Sequence, residues 1–463
     1  MATLNVLGMD YGSSGGRAIL GRFDGKRLGF EEILRFKNPQ INLGRGIYWD
    51  FLALYYKLMQ SVQKAQALGE LTSLAIDCWA SDFGLLDKHG NLLSNPVCYR
   101  DPRTETVAKE VYEKLPPFEL FKLTGAEPHH RFAPFHLAVL QKYAPGIYAS
   151  AGKLLFISGI FNYFLTGEQN CDITQASSSV MYNPLLGAWD KTIIDTLGID
   201  GSILPQVTKP GFITGKISKS VCADYGVRPC TVINIASHDT ASAVAAVPAD
   251  TKNAVFISSG SWSVIGTSID EPIINRQAFD LSFSNEAAYG GGYIFVKNIT
   301  GLWILQELER EWAKRGVKLD YAVINNEAGA RAFASYIDPT SHEFALAGDM
   351  EKKVCSYCAA SGQKPPETVV EYFSAVINGI AHKYKDIIAE ISLLTGKNYD
   401  TIYIVGGGSQ IKYKSNLTAA FTGKKVISGN SEATIAGNII TQLIALGEIK
   451  DINEAWQIEY SGQ

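Results

Sequence analysis

The stretch LNVLGMDYGSSGGRAIL, residues 4–20, carries the pattern from which the fold follows. Two short apolar runs flank a turn of serines and glycines, and Asp10 stands where the first run ends. Apolar runs of this length bounded by turn residues are typical of strands. An Asp-Gly turn at residues 24–25 follows, and then another apolar run. The pattern predicts three strands joined by two tight turns.

The next segments outward alternate helix and strand. Residues 51–69 repeat apolar side chains at helical spacing, and Asp50 is positioned to cap that helix. The following segment, LTSLAIDCWASDFGLLD (71–87), contains an apolar strand that ends in a polar loop from Asp77 to Asp82. Strands that alternate with helices indicate an α/β fold.

The same arrangement occurs a second time later in the chain. NAVFISSGSWSVIGTS (253–268) is again a strand, a Ser/Gly turn and a strand. A helix is predicted over 367–395, and a buried strand in TIYIVGGGSQ (401–410) then leads into Gly406–Gly408. This repeat predicts two α/β domains, 1–245 and 246–463, with the boundary near residue 245.

Composition limits the class of protein. The chain has 463 residues, 46% hydrophobic and 19% charged, with a formal net charge of −4, so a large core is expected and disorder is not. The small negative charge argues against nucleic acid or an anionic membrane as the main partner. The start resembles no signal peptide, no run is long enough for a membrane helix, and the seven cysteines suit a reducing compartment. We therefore expect a cytoplasmic protein. The Cys355/Cys358 pair has no second CxxC to complete a zinc site.

The two Ser/Gly turns are the candidates for phosphate binding. The chain contains neither a P-loop nor a dinucleotide-binding glycine motif. Successive backbone N–H groups in GSSGGR (12–17) and SSGS (258–261) can instead cradle anion oxygens, and glycine would supply close approach and positive φ. Ordinary hairpin turns are the alternative. Asp10, just before the first turn, is placed to hold Mg²⁺ through water. The glycines at 406–408 suggest either tight packing or room for a nucleotide.

The segment SHDTASAV (237–244) places Asp239 in an apolar run without a nearby cation. Burial of an isolated carboxylate is costly, so such a residue has a partner, a helix end or a chemical role. Three interpretations are open for Asp239: a helix cap, a metal ligand or a general base.

Five motifs, taken together, resemble the FGGY carbohydrate kinases, in particular their rhamnulokinase and L-fuculokinase branch. They are MDYGSSGGR, SHDTASA, SSGSWS, KNITGLWILQ and IVGGGSQ…SGNSEATIAGNI, which occur in that order from residue 9 to residue 439. The resemblance implies an α/β fold of two actin-like (ribonuclease-H-like) domains that flank a deep cleft. It also implies ATP as co-substrate, Mg²⁺, sugar mainly on the N-terminal domain and ATP mainly on the C-terminal one.

The resemblance also assigns roles to particular residues. Asp239 is expected to be the general base, and Asp10 the carboxylate near the metal. The expected sugar contacts are Trp79, Ala80, Asp82, His238, Thr240 and Asn298. The expected ATP contacts are Ser13, Ser14, Gly15, Gly16, Arg17, Ser261, Gln306 and Gly407.

Departures from the family pattern bear on the sugar. Ala80 stands where rhamnulokinases usually have glycine, and Ser158-Gly159 replaces their Pro-Asp pair, which favours L-fuculose, phosphorylated at its 1-hydroxyl. L-Rhamnulose is the alternative, because WSVIG and NITGLW resemble rhamnulokinases, and another ketose or pentulose comes third. Trp79, Phe83 and Phe135 are candidates to receive the sugar's methyl group, with a core role as the alternative. A non-catalytic sensor of sugar or nucleotide is the hypothesis from another class. We expect only small-molecule partners and a monomer or homodimer.

Overall fold

The computed structural model describes residues 3–247, 251–330 and 333–461 as a chain of alternating strands and helices. The strands are, in chain order, β1 (Leu4–Tyr11), β2 (Gly15–Phe23), β3 (Arg27–Lys37), β4 (Gln40–Asn42), β5 (Ile47–Trp49), β6 (Ser73–Cys78), β7 (Phe83–Leu86), β8 (Lys153–Phe156), β9 (Asn170–Asp172), β10 (Tyr182–Asn183), β11 (Ala188–Trp189), β12 (Gln206–Thr208), β13 (Phe212–Lys216), β14 (Thr231–Asn234), β15 (Val255–Ser259), β16 (Trp262–Ile269), β17 (Ser284–Ala287), β18 (Tyr293–Thr300), β19 (Thr401–Val405), β20 (Lys425–Ser428) and β21 (Glu459–Ser461).

The α-helices are α1 (Phe51–Leu68), α2 (Arg103–Lys114), α3 (Pro117–Thr124), α4 (Ala133–Tyr143), α5 (Pro145–Ala149), α6 (Ile157–Thr166), α7 (Ile173–Ser177), α8 (Lys191–Leu197), α9 (Lys219–Tyr225), α10 (Asp239–Ala245), α11 (Arg276–Asp280), α12 (Trp303–Lys314), α13 (Tyr321–Ala330), α14 (Met350–Ala360), α15 (Val369–Thr395), α16 (Lys412–Thr422), α17 (Ala433–Ala445) and α18 (Ile452–Ala455). Short 3-10 turns lie at Gly201–Ile203, His342–Ala345 and Gly407–Gln410. None of the helices in these described ranges has the length and apolarity needed to cross a bilayer.

Two mixed sheets repeat one topology. The first has the order β13-β14-β6-β1-β2-β3-β21, and the second has the order β17-β18-β16-β15-β19-β20. In each, a central strand pairs antiparallel with the next strand in the chain and parallel with a strand on its other side: β1 pairs with β2 and β6, and β15 with β16 and β19. This duplication confirms the predicted fold of two ribonuclease-H-like domains.

Local sequence signals account for the predicted elements. The Asp50 side chain accepts the Ala53 N–H at 3.1 Å, so α1 begins with the predicted cap. The long predicted helix begins at Val369, where Thr368 and Glu371 form a capping box. In the first turn, the Gly12 N–H donates to the Gly15 carbonyl at 2.9 Å. These signals lie within a few residues of the elements that they define.

Glycines in the first turn serve close packing. A side chain at Gly16 would collide with the Phe36 ring and would lie 2.9 Å from the Asp10 carbonyl oxygen. Neither Gly15 nor Gly16 has a positive φ, so that part of the prediction is wrong for this turn. Among the three glycines after β19, Gly406 has a positive φ of 79°.

Helices α10 and α17 pack on each other between the two sheets. Ala243 and Val244 of α10 join an apolar cluster with Phe256 and Val296 of the second sheet. On the other side, Ile435, Ile439 and Leu443 of α17 pack with Val6 and Ile19 of the first sheet. The late segment α17–β21 therefore packs on the N-terminal sheet, and β21 pairs with β3. The domain boundary near residue 245 stays a prediction, and it adjoins residues that lie outside the described ranges.

Candidate active site

Three carboxylates converge where the first sheet meets α10. Asp10 and Asp77 are register partners near the ends of parallel strands β1 and β6, and Asp239 is the first residue of α10. Asp77 is completely buried, and its Oδ2 accepts the Asn438 Nδ2–H at 2.6 Å. Its Oδ1 has no hydrogen-bond partner in the described part of the chain. Burial, and then the neighbouring Asp10, raise the pKa of the Asp77 carboxyl.

Arg17 connects the first Ser/Gly turn to this group. Its Nη2 lies 2.8 Å from Asp10 Oδ2, and its Nη1 pairs with Glu432 just before α17. The turn itself is held by Asn38, which bonds Ser14 through its backbone N–H and Gly12 through its side chain. Ser13 is partly exposed and Ser14 is exposed. Ser13 and Ser14 are therefore accessible in the turn beside Asp10, whereas Gly15, Gly16 and Arg17 begin strand β2 and Gly16 is buried.

Asp239 occupies the first helical position, not the cap. His238 is the N-cap residue, and its side chain makes no capping bond, so the cap interpretation is wrong. The Asp239 side chain is 36% exposed, and its Oδ1 accepts the Thr240 hydroxyl at 3.3 Å. Burial raises the pKa of Asp239, His238 opposes that shift, and Asp10 adds to it. A carboxyl that is partly open and holds its proton more tightly than usual is suited to accept a proton.

His238 lies between two acids. Its Nε2 is 3.4 Å from Asp239 Oδ1, and its Nδ1 is 3.1 Å from Glu286 Oε2. Burial disfavours the imidazolium, but Glu286 and then Asp239 outweigh it and raise the pKa of His238 to about 9. The described residues hold no cluster of three or more His, Cys, Asp or Glu side chains arranged for a metal, and this applies to Cys355 and Cys358 as well.

The loop at Trp79, Ala80 and Asp82 lies beside this group, because the Cys78 N–H donates to the Ser237 carbonyl at 2.8 Å. Asp82 Oδ2 accepts the indole N–H groups of Trp79 at 2.9 Å and of Trp49 at 2.6 Å. Burial raises the pKa of Asp82 to about 7 despite these bonds. Its Oδ1 is buried without a partner among the described residues.

The aromatic residues proposed to receive the sugar's methyl group do not form one cluster. Trp79 belongs to the core beneath the first sheet, whereas Phe83 and Phe135 belong to a separate core formed by the helical region of residues 103–204. Phe135 is completely buried. The core alternative is therefore correct for Phe83 and Phe135.

The second Ser/Gly turn borders a cavity. The Ser261 hydroxyl donates to Gln306 Oε1 at 2.9 Å. Gln306 and Gly407 line a cavity of about 540 Å³, together with Leu302, Leu305, Tyr321, Ala322, Asn325, Asn326, Gln410, Ile411 and Lys412. Apolar walls with a few amide groups suit a flat heteroaromatic ring. Asn298 is exposed on β18, on the same face as Ile294 and Val296, which pack towards α10.

Several residues at the site escaped sequence reasoning. Asn438 bonds Asp77, Glu286 pairs with His238 and Glu432 pairs with Arg17, all from distant segments that no local pattern links to Asp239. Lys414 is buried under the second turn, where its ammonium donates to the Ser259 hydroxyl. For Asp77 the sequence did contain a signal, because the residue lies near the end of an apolar run. The structure places it in register with Asp10.

The chain matches two family models and many curated proteins. The N-terminal domain model of the FGGY family of carbohydrate kinases matches residues 5–246, and the C-terminal domain model matches residues 255–446. A rhamnulokinase of Oceanobacillus iheyensis is 34% identical over 453 residues, covering 98% of this chain and 95% of the relative. A rhamnulokinase of Halalkalibacterium halodurans is 35% identical over 457 residues, covering 98% and 96%.

Solved structures agree on the fold. A ligand-bound xylulose kinase from Lactobacillus acidophilus superposes with a TM-score of 0.78 at 17% identity, covering 98% of this chain and 92% of that one. A Plasmodium falciparum glycerol kinase with ADP gives 0.77 at 15% identity, covering 100% and 94%. The chain therefore belongs to the FGGY family of carbohydrate kinases and is an ATP-dependent sugar kinase.

Proposed function

We propose that this kinase phosphorylates the 1-hydroxyl of L-rhamnulose. The observation that carries the proposal is the match, at 34% and 35% identity over 98% of this chain, to proteins named rhamnulokinase. The preference for L-fuculose, expected from Ala80 and Ser158-Gly159, has no such support. The relatives favour the alternative that the sequence analysis retained.

Asp239 is our proposed general base. It lies at the start of α10 between Asp10 and His238, with its side chain partly open. In the proposed step, the Asp239 carboxylate accepts the proton of the sugar's 1-hydroxyl as that oxygen attacks the γ-phosphorus. The bond from the γ-phosphorus to the bridging oxygen breaks, and ADP leaves. Transfer of this kind depends on positioning and on neutralised phosphate charge.

The phosphates of ATP are assigned to the two Ser/Gly turns. Ser13 and Ser14 offer backbone N–H groups on one side, next to Gly15 and Gly16 at the start of β2, and Ser261 offers its hydroxyl on the other. Arg17 adds a positive charge, although Asp10 and Glu432 partly compensate it. The adenine is assigned to the cavity at Gln306 and Gly407.

Magnesium fits the carboxylates near the first turn. Mg²⁺ takes one or two carboxylates and keeps several waters, and Asp10 with the unpartnered Oδ1 of Asp77 meets that requirement. Asp10 and Asp77 would hold the ion, which would neutralise charge on the phosphates when bound. Asp10→Ala should therefore weaken turnover and shift its dependence on Mg²⁺ to higher concentrations. An unchanged Mg²⁺ titration would contradict the role of Asp10.

The sugar is assigned to the N-terminal side of the site. His238 and Thr240 flank the base, Trp79, Ala80 and Asp82 form the neighbouring loop, and Asn298 is exposed on the face of β18 that packs towards α10. We assign one sugar hydroxyl to the Oδ1 of Asp82, which is buried and has no partner among the described residues. A site that must pair such a group discriminates strongly between substrates that supply the hydroxyl and those that do not.

We further propose small-molecule partners only and a monomer or homodimer. We also propose a cytoplasmic location, where ATP is available and the seven free cysteines stay reduced.

A substrate panel tests the sugar. ADP release is measured with L-rhamnulose, L-fuculose, L-xylulose, D-xylulose and glycerol. We expect kcat/KM to be highest for L-rhamnulose by about ten-fold or more, a difference of roughly 1.4 kcal/mol in transition-state binding. A ten-fold preference for L-fuculose would restore the expectation based on Ala80, and Ala80→Gly would then be the informative variant.

A separate experiment tests the base. Asp239→Asn keeps the size of the side chain but removes its basicity, so transfer should fall by about 10² to 10⁴-fold. ATP binding, measured by calorimetry, should stay within a factor of two or three. Asp270→Asn, at an exposed position on the surface, is the matched control and should keep full turnover. Turnover near that of the wild type in Asp239→Asn would exclude the assignment.

A further inference from the structure

Two arginines of the N-terminal half stack on two tryptophans next to the second Ser/Gly turn. The Arg131 guanidinium carbon is 5.4 Å from the Trp262 ring centroid, and that of Arg100 is 5.0 Å from the Trp303 ring centroid. Both distances lie within the range of cation–π attraction. The contacts therefore cross from the sugar side of the molecule to the ATP side.

Both tryptophans are attached to Ser261. Trp262 follows Ser261 directly in the chain, and the Trp303 backbone N–H donates to the Ser261 carbonyl at 3.2 Å. The Gly301 N–H donates to the same carbonyl at 2.9 Å. A displacement of either indole would therefore move the backbone that presents the Ser261 hydroxyl.

Direct ion pairs do not explain the positions of these two arginines in the described part of the chain. Within the described ranges, neither Arg100 nor Arg131 has a carboxylate oxygen within 4.0 Å. Both side chains are partly buried, and burial lowers the pKa of Arg131, with a smaller contribution from the nearby Arg100. The tryptophan faces are their contacts with the second half of the chain, while Glu105 and Glu127 favour the charge of Arg131 from a longer distance.

Arg100 is also connected to the sugar side. The backbone N–H of Tyr99, the preceding residue, donates to Asp82 Oδ2 at 3.1 Å, and Arg100 Nε donates to the Tyr99 hydroxyl at 3.1 Å. Asp82 is the proposed sugar contact with an unpartnered oxygen. A continuous series of contacts thus runs from Asp82 through Tyr99 and Arg100 to Trp303 and Ser261, and coupling between sites travels through such contiguous contacts.

We propose that Arg100 and Arg131 are positioning residues that couple sugar binding to the ATP phosphate turn. When a sugar engages Asp82, Tyr99 and Arg100 are held in place, and the stacked arginines hold Trp262, Trp303 and Ser261 in the arrangement that binds phosphate. ATP then binds more tightly to the sugar-bound enzyme than to the free enzyme. The inference rests on the proposed sugar and ATP sides but not on which ketose is the substrate.

The test compares ATP affinity with and without sugar. Calorimetry gives Kd for a non-hydrolysable ATP analogue in the wild type, Arg100→Met, Arg131→Met and the double variant, using whichever panel sugar the wild type phosphorylates fastest. In the wild type, we expect the sugar to lower Kd. The measured quantity is the ratio of Kd without sugar to Kd with sugar. Each single substitution should reduce this ratio by about 2- to 5-fold, and the double variant by about 5- to 30-fold, because one and two stacking contacts are lost. Kd without sugar should change by less than two-fold.

Arg310→Met is the matched control. Arg310 stacks on the same Trp303 ring, also at 5.0 Å, but it belongs to α12 with that tryptophan and bridges no domains. Arg310→Met should keep the wild-type ratio of Kd without sugar to Kd with sugar. A wild-type ratio of one, a double variant with unchanged ratio, or an equal loss in Arg310→Met would overturn the inference. A panel in which L-fuculose is the best substrate would overturn only the proposed sugar.

Discussion

Lys414 lies completely buried in α16, and its ammonium donates to the Ser259 hydroxyl beneath the second Ser/Gly turn. The neighbouring groups are the Tyr384 ring, 5.9 Å from its Nζ, and Gly408, where an added Cβ would lie 2.6 Å from that nitrogen. Burial lowers the pKa of Lys414 to about 7. Desolvation of a charge that has no acidic partner in the described ranges is the cause.

This burial predicts a particular dependence of stability on pH. The unfolded chain keeps this lysine protonated up to a pKa of about 10.4, whereas the folded chain releases the proton near pH 7. Between those values the unfolded state binds more protons, so the free energy of unfolding should rise with pH. Lys414→Met should lose about 1 kcal/mol of that rise per pH unit, measured by urea unfolding at pH 7, 8 and 9.

The control for Lys414 is Lys385→Met, at an exposed position of α15. It removes a lysine that is already in water, so its pH profile should parallel that of the wild type. Parallel profiles for the wild type and Lys414→Met would show that the ammonium is solvated or paired in the folded protein.

For Asp82, burial predicts the opposite dependence of stability on pH. Burial raises its pKa to about 7, above the value near 3.9 of an unfolded chain, so the folded state binds more protons between these values. The free energy of unfolding should therefore fall as pH rises from about 4 to 7. Asp82→Asn keeps an acceptor for the Trp49 and Trp79 indoles but does not titrate. It should gain stability relative to the wild type between pH 5 and pH 7, and a difference that is constant across this range would contradict the prediction.

The packing of helix α10 against helix α17 determines where Asp239 lies. A side chain at Gly437 of α17 would overlap the Ser242 carbonyl oxygen of α10, so the helices approach until their backbones nearly touch. The Ser242 hydroxyl also donates to the Thr434 carbonyl at 2.9 Å. The helix that carries the proposed base is therefore fixed by a helix that begins almost two hundred residues later in the chain.

Gly437→Ala should separate these helices. We expect a loss of about 1–3 kcal/mol in the free energy of unfolding, the usual cost of overpacking, and a fall in kcat larger than any change in ATP affinity. Gly146→Ala in α5 is the control, because no described atom outside the local helix backbone lies within 4 Å of its added Cβ. It should be neutral or slightly stabilising. An active, fully stable Gly437→Ala would mean that α10 tolerates displacement.

The elements also show what sequence could predict. The β1–β2 hairpin, the Asp50 cap of α1 and the β15–β16 repeat follow from turn residues and periodicity within about 20 residues, and all were predictable. The Asn438 bond to Asp77 joins residues 361 positions apart, and the pairing of His238 with Glu286 joins the start of α10 to β17 of the second sheet. No local periodicity encodes such contacts. The residue pattern after Asp239 indicated the start of a helix there, but the acids around it became visible only in the fold.

At the scale of the whole molecule, the C-terminal segment packs back on the N-terminal sheet. Ile439 is completely buried in a cluster with Val6, Ile19 and Phe23 of the first sheet. Its Cγ2 lies 2.9 Å from where a side chain at Gly21 would begin, which explains the glycine there. The N-terminal sheet therefore completes one of its faces only when α17, more than four hundred residues later, is in place.

Ile439→Ala tests this closure at the scale of the whole chain. Removal of three buried carbons should cost about 2–5 kcal/mol. Hydrogen exchange read by mass spectrometry should show the loss in β1 and β2 as well as in α17, because the cluster joins them. Ile391→Ala, in the core of the second domain, is the matched control, and its loss of protection should lie mainly in α15 and the second sheet. If Ile439→Ala loosened only residues 433–461, the C-terminal segment would be an attachment to an N-terminal sheet that is stable without it, and the two halves would be free to unfold separately.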